Sequence, residues 1–283
     1  MKIVEDLEHT VSMGMVTLHA HDLPVLKRFY NEVLMLEVIR ESDESVTLGH
    51  GSVPLVELHR SPDASYTNPT HAGLYHLAIL YSSRQELAKT LLHIFTKWKG
   101  YFVGSADHLV SEAFYFTDPE GNGIELYSDK EKSLWQWEHG SVKMASLYID
   151  PISYIQTHHG KKDAKHLRVM GHVHLKVGDI AEAKQFYVDV LGFDITAELP
   201  GALFLSRDGY HHHIGMNSWD SNGAGKRTEP SGLKSFALHM HSHKEFEKIQ
   251  KNLITHAIAF AKTDSGISFH DPWNNQIHLI LRK

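Results

Sequence analysis

The sequence repeats itself, and this internal repeat limits the folds open to the chain more than any other feature. The segment MVTLHAHDLPVLKRFYNEVLMLEVI, residues 15 to 39, aligns with HVHLKVGDIAEAKQFYVDVLGFDIT, residues 172 to 196. Each copy begins as an extended apolar run and continues with apolar residues at helical spacing. In the second copy Asp179 and Glu182 form a predicted capping box, and Gly192 supplies the left-handed residue that ends a helix. Each copy therefore predicts a strand followed by a helix.

A second kind of repeat follows each of these copies. GLYHLAILYSSRQELAKTLL (73 to 92) aligns with GLKSFALHMHSHKEFEKIQK (232 to 251), and FTDPEGNGIELYSDK (116 to 130) aligns with FHDPWNNQIHLILRK (269 to 283). The chain thus consists of four units of about 50 to 60 residues, each predicted as a strand, a helix and several further strands. These units are called modules one to four below.

A polar, irregular stretch separates modules two and three. It predicts a linker between two pairs of modules, with modules one and two in residues 1–135, the linker in residues 136–168, and modules three and four in residues 169–283. A helix and several strands in every module predict an α+β protein.

The composition excludes several classes of function. The formal net charge is −6 and basic residues are scattered, so nothing indicates a nucleic-acid partner. The absence of cysteine excludes disulfides, thiolate catalysis and Cys-ligated zinc. No apolar stretch reaches the ~18 residues of a spanning helix, and the acidic start MKIVEDLEHT does not match a signal peptide. We therefore expect a cytoplasmic protein without a membrane partner, whose 24 histidines must be sorted by position.

One carboxylate in module two needs a cation. In AFYFTDPEGNGIELYS, residues 113 to 128, Glu125 lies between Ile124 and Leu126 in a predicted strand. Because side chains alternate along a strand, Glu125 points away from the face that these two apolar neighbours use. A carboxylate in a half-buried strand is costly unless a cation satisfies it. A lysine, an arginine or a metal ion would serve.

Tandem modules that begin like GHVHLKVGDIAEAKQFYVDVLGFD and end like DPEGNGIELY resemble the vicinal oxygen chelate superfamily, which includes glyoxalase I, fosfomycin-resistance proteins and type I extradiol dioxygenases. The resemblance covers nearly the whole chain outside the linker. It implies that the four βαβββ modules form two cup-shaped mixed β-sheets, in which two modules face each other around a divalent metal. Ligands in this fold come from the first and last strands of a module.

Within the superfamily, the run HLVSEAFYFTDPEGNGIE, from His108 to Glu125, is similar to the extradiol dioxygenase signature. Ala106 departs from that pattern, and the whole chain most resembles the bacillus-type catechol 2,3-dioxygenases. The resemblance implies an enzyme that opens a catechol-type aromatic diol with O2, beside its two hydroxyls rather than between them. It also implies Fe(II) as the cofactor, with Mn(II) as the alternative, and hydrogen bonds from His108 and Tyr115 to the substrate.

The metal ligands depend on which modules face each other. If modules pair in chain order, one cup holds Glu57, His76 and Glu125, and the other holds the remaining candidates, His172 and His278. If module two faces module three, His76, His172 and Glu125 share one cup as the two-His, one-carboxylate set of Fe(II) oxygenases. Taken singly, each residue is as compatible with a structural role as with a ligand. Because the three together complete one known geometry, we predict the second arrangement, which also supplies the cation for Glu125.

The run GYHHHIGMN in module three contains the predicted acid/base residue. The resemblance implies a proton-transferring His in this region. Alternation puts His211 and His213 on one face and the middle imidazole on the other. His213 lies about one strand step before Gly215, where a glyoxalase-like module carries its metal-binding Glu. We predict that His213 transfers the proton, a role suited to a side chain that titrates near neutrality, with His211 in reserve.

Two alternative functions remain open. A glyoxalase-type isomerase or a thiol-transferring resistance enzyme would keep the metal but add a second carboxylate ligand, where this chain has Gly215. A metal-free ligand-binding protein of the same fold would have lost the ligands in every cup, whereas this chain keeps one full set. The expected partners are a small aromatic diol, whose identity stays open, and O2. A homo-oligomer is compatible with the sequence.

Overall fold

Each predicted module is present in the computed structural model, which describes residues 10–160 and 166–282. Residues 1–9 of the predicted first module pair, residues 161–165 of the predicted linker and residue 283 of the predicted second module pair lie outside the described residues. Module one contains β1 (Val11–Ala20), α1 (Leu23–Arg28), β2 (Glu37–Glu41), β3 (Ser45–His50) and β4 (Val53–Arg60). Module two contains β5 (Gly73–Tyr81), α2 (Arg84–Lys97), β6 (Phe102–Asp107), β7 (Ser111–Thr117) and β8 (Gly123–Asp129).

The stretch between modules two and three is more ordered than an irregular linker. It contains the short strands β9 (Trp137–Glu138) and β10 (Ser141–Val142) and the helix α3 (Pro151–His158). Module three contains β11 (Arg168–Lys176), α4 (Ile180–Lys184), β12 (Asp194–Leu199), β13 (Ala202–Ser206) and β14 (Ile214–Asn217). Module four contains β15 (Leu233–Met240), α5 (His243–Thr255), β16 (Phe260–Thr263), β17 (Gly266–His270) and β18 (Gln276–Leu281).

Two curled eight-stranded sheets organise the modules. One has the order β16-β17-β18-β15-β1-β4-β3-β2 and joins modules four and one, whereas the other has the order β12-β13-β14-β11-β5-β8-β7-β6 and joins modules three and two. At the centre of each sheet the first strands of two modules lie antiparallel. Each first strand also pairs in parallel with the last strand of its own module. The prediction that module two faces module three is therefore confirmed, and the chain-order arrangement is excluded.

The helices begin and end where local residue chemistry predicts. The Asp179 side chain accepts a hydrogen bond from the backbone N–H of Glu182 at the start of α4, and Gly192 has a positive φ of 74° after the helix. The N-cap hydrogen bond of Asp179 and the left-handed Gly192 are therefore confirmed. In modules one and three the α-helix continues as a π-helical turn, Phe29–Val33 and Gln185–Val190. Within the described ranges, no helix combines the length and apolar character needed to cross a bilayer.

Two buried hydrogen bonds tie the two sheets together. The Tyr30 hydroxyl of module one donates to Asp118 of module two at 3.2 Å. The equivalent Tyr187 hydroxyl of module three donates to Asp271 of module four at 2.9 Å. Each bond links modules that are neighbours in the chain but belong to different sheets. The largest apolar cluster likewise includes residues of all four modules, so the two cups share one core.

Candidate metal centre

Three adjacent strands at the centre of the second sheet carry the predicted ligands. His76 lies on β5, Glu125 on β8 and His172 on β11. The strand register places Ala78 of β5 beside both Glu125 and His172. Because paired residues point to the same face of a sheet and Ala78 has only a methyl group, the larger side chains have room to meet above it.

The three side chains converge on one point. Nε2 of His76 lies 3.0 Å, and Nε2 of His172 3.2 Å, from the same carboxylate oxygen, Oε2 of Glu125. The two Nε2 atoms are 3.4 Å apart. All three residues are buried, and in the part of the chain that the structure describes they form the one group of three suited to hold a metal ion. The predicted convergence is confirmed.

Burial and neighbouring imidazoles act in opposite directions on the Glu125 carboxyl. Burial raises its pKa, but His172 and then His76 lower it, and the balance holds the pKa well below its usual range. Burial lowers the pKa of His172 to about 4, although Glu125 acts to raise it. At neutral pH Glu125 is therefore ionised and His172 is neutral, the protonation states in which these groups bind metals.

This set of donors fits a divalent metal ion. Two imidazole nitrogens and one carboxylate oxygen, all within 4.8 Å of one another, match the facial triad of non-haem Fe(II) sites. The ion-pair contacts of Glu125 with described residues are made with the two imidazoles. A buried carboxylate without a lysine or arginine at contact distance is costly. A bound cation removes that cost, which answers the question raised by its place in the strand.

A cavity of about 660 Å³ opens beside these ligands, and His108 and Tyr115 line it as predicted. Nδ1 of His108 lies 2.7 Å from the carbonyl oxygen of Ala145. Because a carbonyl only accepts, Nδ1 carries the proton, and Nε2 of a neutral His108 accepts a hydrogen bond from the Tyr115 hydroxyl at 2.6 Å. Burial, followed by Glu125, raises the pKa of Tyr115 well above its usual value, so the hydroxyl keeps its proton.

The prediction that His213 lines this cavity is wrong, because His212 takes that place. The backbone bends at residues 211 and 213, before β14 begins, so the three imidazoles do not alternate as they would in an extended strand. Nδ1 of His213 lies 2.9 Å from the Ser206 hydroxyl. The His212 ring packs against the ring of the predicted ligand His172, with centroids 4.1 Å apart.

The reserve candidate His211 does not line the cavity either. It lies behind His212, and its Nε2 is 2.9 Å from a carboxylate oxygen of Asp129. Its other ring nitrogen, Nδ1, is 2.8 Å from Nδ1 of His212. His211 therefore contacts the cavity-lining histidine without lining the cavity itself.

His174 fills the space beside Gly215. The two residues are paired in register between β11 and β14, and a Cβ atom at position 215 would lie 2.7 Å from Nδ1 of His174. Nε2 of His174 is 3.0 Å from the Asn217 side-chain nitrogen, and the ring packs against those of Tyr75 and His76. In module three the His174 imidazole thus occupies the space that the side chain of a second carboxylate ligand at position 215 would need.

The corresponding positions of the other sheet do not form a metal site. Glu57 is paired with Arg40 at 3.3 Å. His278 is half-buried, and burial lowers its pKa. With Met15 and Ser235 at the remaining first-strand positions, none of the four belongs to the metal-capable group found among the described residues.

Sequence reasoning missed three parts of the cavity wall. His174 had a signal, since its two-residue spacing from His172 puts both on one face of a strand. His212 had none, because the bends that turn it inward have no marker in the run of three histidines. The third part, residues 144–146 of the predicted linker, also lines the cavity, which no sequence feature indicated.

Comparison with known proteins agrees with this architecture. The sequence model of the Glyoxalase/Bleomycin resistance protein/Dioxygenase superfamily matches residues 12–126 and 169–279, and the chain belongs to this superfamily. The catechol-2,3-dioxygenase of Bacillus subtilis (strain 168) is 36% identical over 269 residues, which cover 92% of this chain and 93% of that protein.

Two crystal structures illustrate the shared fold. Glyoxalase I from Zea mays has a TM-score of 0.57 at 16% identity, with 95% of this chain and 92% of that chain covered. The cppA protein from Streptococcus pneumoniae TIGR4 has a TM-score of 0.55 at 10% identity, with 97% and 98% covered. At these identities the likeness concerns the fold alone.

Proposed function

We propose that this protein is an extradiol dioxygenase, which uses Fe(II), or Mn(II) in its place, to open a catechol-type aromatic diol with O2. One observation carries the proposal: two imidazoles and one carboxylate form the metal set, while the position that would supply a further carboxylate is Gly215, covered by the ring of His174. A site with three protein ligands leaves coordination positions for two diol oxygens and O2, whereas a closed four-ligand site does not. The similarity to a catechol-2,3-dioxygenase supports the same reaction.

The residues have separable roles in this proposal. His76, His172 and Glu125 hold the metal, which when bound supplies Lewis acidity toward the diol oxygens and redox chemistry toward O2. His108 and Tyr115 form a hydrogen-bonded pair in the cavity wall. The proton that His108 carries on Nδ1 is already used by the Ala145 carbonyl. The Tyr115 hydroxyl, which is fixed by His108, therefore offers its oxygen to orient a hydroxyl of the substrate.

His212 is the proposed acid/base, in place of His213. It lines the cavity that would receive the diol, next to the proposed ligand His172. Burial lowers the pKa of His212 well below its usual value, so its imidazole is neutral and has one nitrogen free of a proton. That nitrogen accepts the proton of a diol hydroxyl and can return it to the ring-opened product.

The cavity favours a small aromatic substrate. Besides the polar groups near the metal, its wall contains the rings of Tyr75, Phe204 and Trp219 and the side chains of Leu199 and Met144. Ring faces and apolar side chains of this kind enclose a flat aromatic molecule, and a few polar groups fix its orientation. A volume of about 660 Å³ leaves room for a substituent on the diol ring.

Metal binding tests the ligand set directly. Anaerobic loading with Fe(II) or Mn(II), followed by desalting and metal analysis, should give one ion per chain. Replacing His76, His172 or Glu125 by Ala should abolish retention, because each supplies one of three donors. The matched controls His278→Ala and Glu57→Ala, at the equivalent positions of the other sheet, should leave retention unchanged. Equal losses in the controls would contradict the assignment.

Oxygen uptake and product analysis test the reaction. With Fe(II) and catechol, the protein should consume one O2 per diol and release a yellow ring-opened semialdehyde. This product results from cleavage next to the hydroxyls. The competing outcome is isomerisation of a hemithioacetal without O2 uptake and with catechol left intact. That result would replace the dioxygenase by a glyoxalase-type isomerase on the same metal site.

A further inference from the structure

A chain of hydrogen bonds runs from the end of β8 to the cavity. Glu125, Tyr127 and Asp129 alternate along β8 and therefore share one face of the sheet. Oδ1 of Asp129 is 2.9 Å from Nε2 of His211. Nδ1 of His211 is in turn 2.8 Å from Nδ1 of His212, whose ring lines the cavity. The strand β8, which carries the proposed carboxylate ligand Glu125, thus also carries Asp129 at the outer end of the hydrogen-bond chain.

The order of donors in this chain follows from Asp129. A carboxylate only accepts, so Nε2 of His211 carries a proton and donates it to Asp129. When His211 is neutral, its other nitrogen is an acceptor, so Nδ1 of His211 accepts from Nδ1 of His212. This leaves Nε2 of His212 without a proton. Nε2 of His212 takes no part in the hydrogen-bond chain, so it is the ring nitrogen available to a molecule in the cavity.

The second oxygen of Asp129 is occupied as well. The Tyr210 hydroxyl donates to Oδ2 at 3.1 Å. Because its single proton is used there, Tyr210 accepts from the Tyr127 hydroxyl, whose oxygen is 2.8 Å away. Tyr210 therefore restricts the rotation of the side chain at position 129. His211 is fully withdrawn from solvent, while the Asp129 side chain keeps 23% exposure, so solvent reaches the outer end of the hydrogen-bond chain but not its middle.

We propose that Asp129 and His211 are positioning residues that hold His212 in the tautomer able to accept the diol proton at Nε2. The inference rests on the proposed function for its purpose, since it assigns a role in that reaction. In the proton-transfer step the O–H bond of the diol breaks, a bond forms between the proton and Nε2, and His212 becomes an imidazolium. Its Nδ1 proton remains donated to His211, and Asp129 faces the far side of His211.

Asp129→Asn gives a directional test. Tyr210 still donates to the oxygen at position 129, so the amide NH2 group faces Nε2 of His211. That nitrogen must then accept, and the order of donors reverses, which leaves the proton of His212 on Nε2. Long-range ¹H–¹⁵N NMR of the metal-free protein distinguishes protonated from unprotonated ring nitrogens. We expect the wild type to carry the His212 proton on Nδ1 and the variant to carry it on Nε2.

Two further variants separate positioning from general damage. Tyr210→Phe removes the competing donor but keeps the carboxylate, so the wild-type tautomers should persist. Asp129→Asn combined with Tyr210→Phe frees the amide oxygen to face His211 and should restore them in part. In oxygen-uptake assays of the Fe(II)-loaded protein, Asp129→Asn should lower kcat roughly 100-fold, with KM and metal content changed less than about twofold.

The outcomes distinguish this inference from the proposed function. A wild-type His212 protonated on Nε2 would overturn the inference without any variant, as would unchanged tautomers and kcat in Asp129→Asn. A wild type that retains metal but leaves diols intact would overturn the proposed function. The role of the hydrogen-bond chain in that reaction would then be overturned as well. Reversed tautomers together with the selective loss of kcat support the inference.

Discussion

Adding one methyl group at Gly215 tests how firmly His174 holds its place. In Gly215→Ala the new Cβ would lie 2.7, 3.1 and 3.2 Å from Nδ1, Cγ and Cε1 of His174, where ordinary contact begins at 3.4 Å. The ring must therefore move by about 3.4 − 2.7 = 0.7 Å. It is packed 4.9 to 5.7 Å, between ring centroids, from its neighbours His76, Tyr75 and Phe204.

The expected cost follows from that confinement. Overpacking a well-filled site by one methyl group costs about 1–3 kcal/mol. Gly215 lies in β14 and is not among the residues with positive φ, so alanine meets no backbone strain there. Alanine also removes some of the conformational freedom of the unfolded chain, which offsets up to about 1 kcal/mol. We therefore expect Gly215→Ala to lower the free energy of unfolding by about 1–2 kcal/mol.

A double-mutant cycle measured by urea unfolding of the metal-free protein attributes that cost to one contact. In a His174→Ala background the ring is absent, so Gly215→Ala should cost close to nothing or become stabilising. Gly104→Ala is the matched control, since Gly104 also lies in a strand of this sheet and a Cβ there would meet nothing within 4 Å. If Gly215→Ala costs the same with and without the His174 ring, the steric reasoning is refuted.

Two further predictions concern the same cup and the contact between the sheets. His174→Ala combined with Gly215→Glu should add a second carboxylate to the proposed metal set. The double variant should then keep its metal against chelators better than His174→Ala alone, and its O2 uptake should be lower. O2 uptake equal to that of His174→Ala would contradict this prediction. Burial raises the pKa of the Asp118 carboxyl to about 6, above its value in the unfolded chain. The stability gained by protonating this carboxyl is therefore fully present below pH ~3.8 and is lost as the pH rises through about 6. Relative to Asp118→Asn, the wild type should gain about 1 kcal/mol in urea unfolding between pH 7 and pH 5, and a difference that does not vary with pH would contradict the assigned pKa.

The sequence predicted those parts of the fold that depend on local chemistry. Asp179 and Gly192 set the ends of a helix through backbone hydrogen bonds and backbone conformation, which nearby residues determine. The predicted ligands His76 and Glu125 lie in regular strands, where the two-residue period predicts the direction of each side chain. The metal set could therefore be assembled from sequence once the pairing of the modules was chosen.

The histidine run could not be predicted in the same way. The period of two holds only while the backbone stays extended, and bends at residues 211 and 213 interrupt it. Tertiary contacts determine where such bends fall. Here Ser206 holds His213 on one side, while Asp129 of module two holds His211 on the other. The residue that faces the cavity is thus selected by partners distant in sequence.

The choice between module pairings rested on chemistry, and the structure explains why it succeeded. Pairing in chain order would have left Glu125 without His172 and given neither cup a complete metal set. Tertiary hydrogen bonds such as Tyr30 to Asp118 keep chain neighbours attached even though they belong to different sheets. Contact between neighbouring modules and pairing of distant modules are therefore compatible, and sequence proximity alone does not decide between them.

Modules two and three differ at the proposed three-ligand site by one exchange of a large and a small residue. His76 and His172 occupy the same position in the two central strands. Two residues beyond them, module two has Ala78 on its first strand beside Glu125 on its last. Module three has His174 on its first strand beside Gly215 on its last. Each pair combines one large and one small residue. In module two the large residue is Glu125, the predicted carboxylate ligand on the last strand. In module three it is His174 on the first strand, whose Nε2 lies 3.0 Å from the Asn217 side-chain nitrogen. In the proposed site, the number of metal ligands therefore depends on which strand of each module carries the small residue.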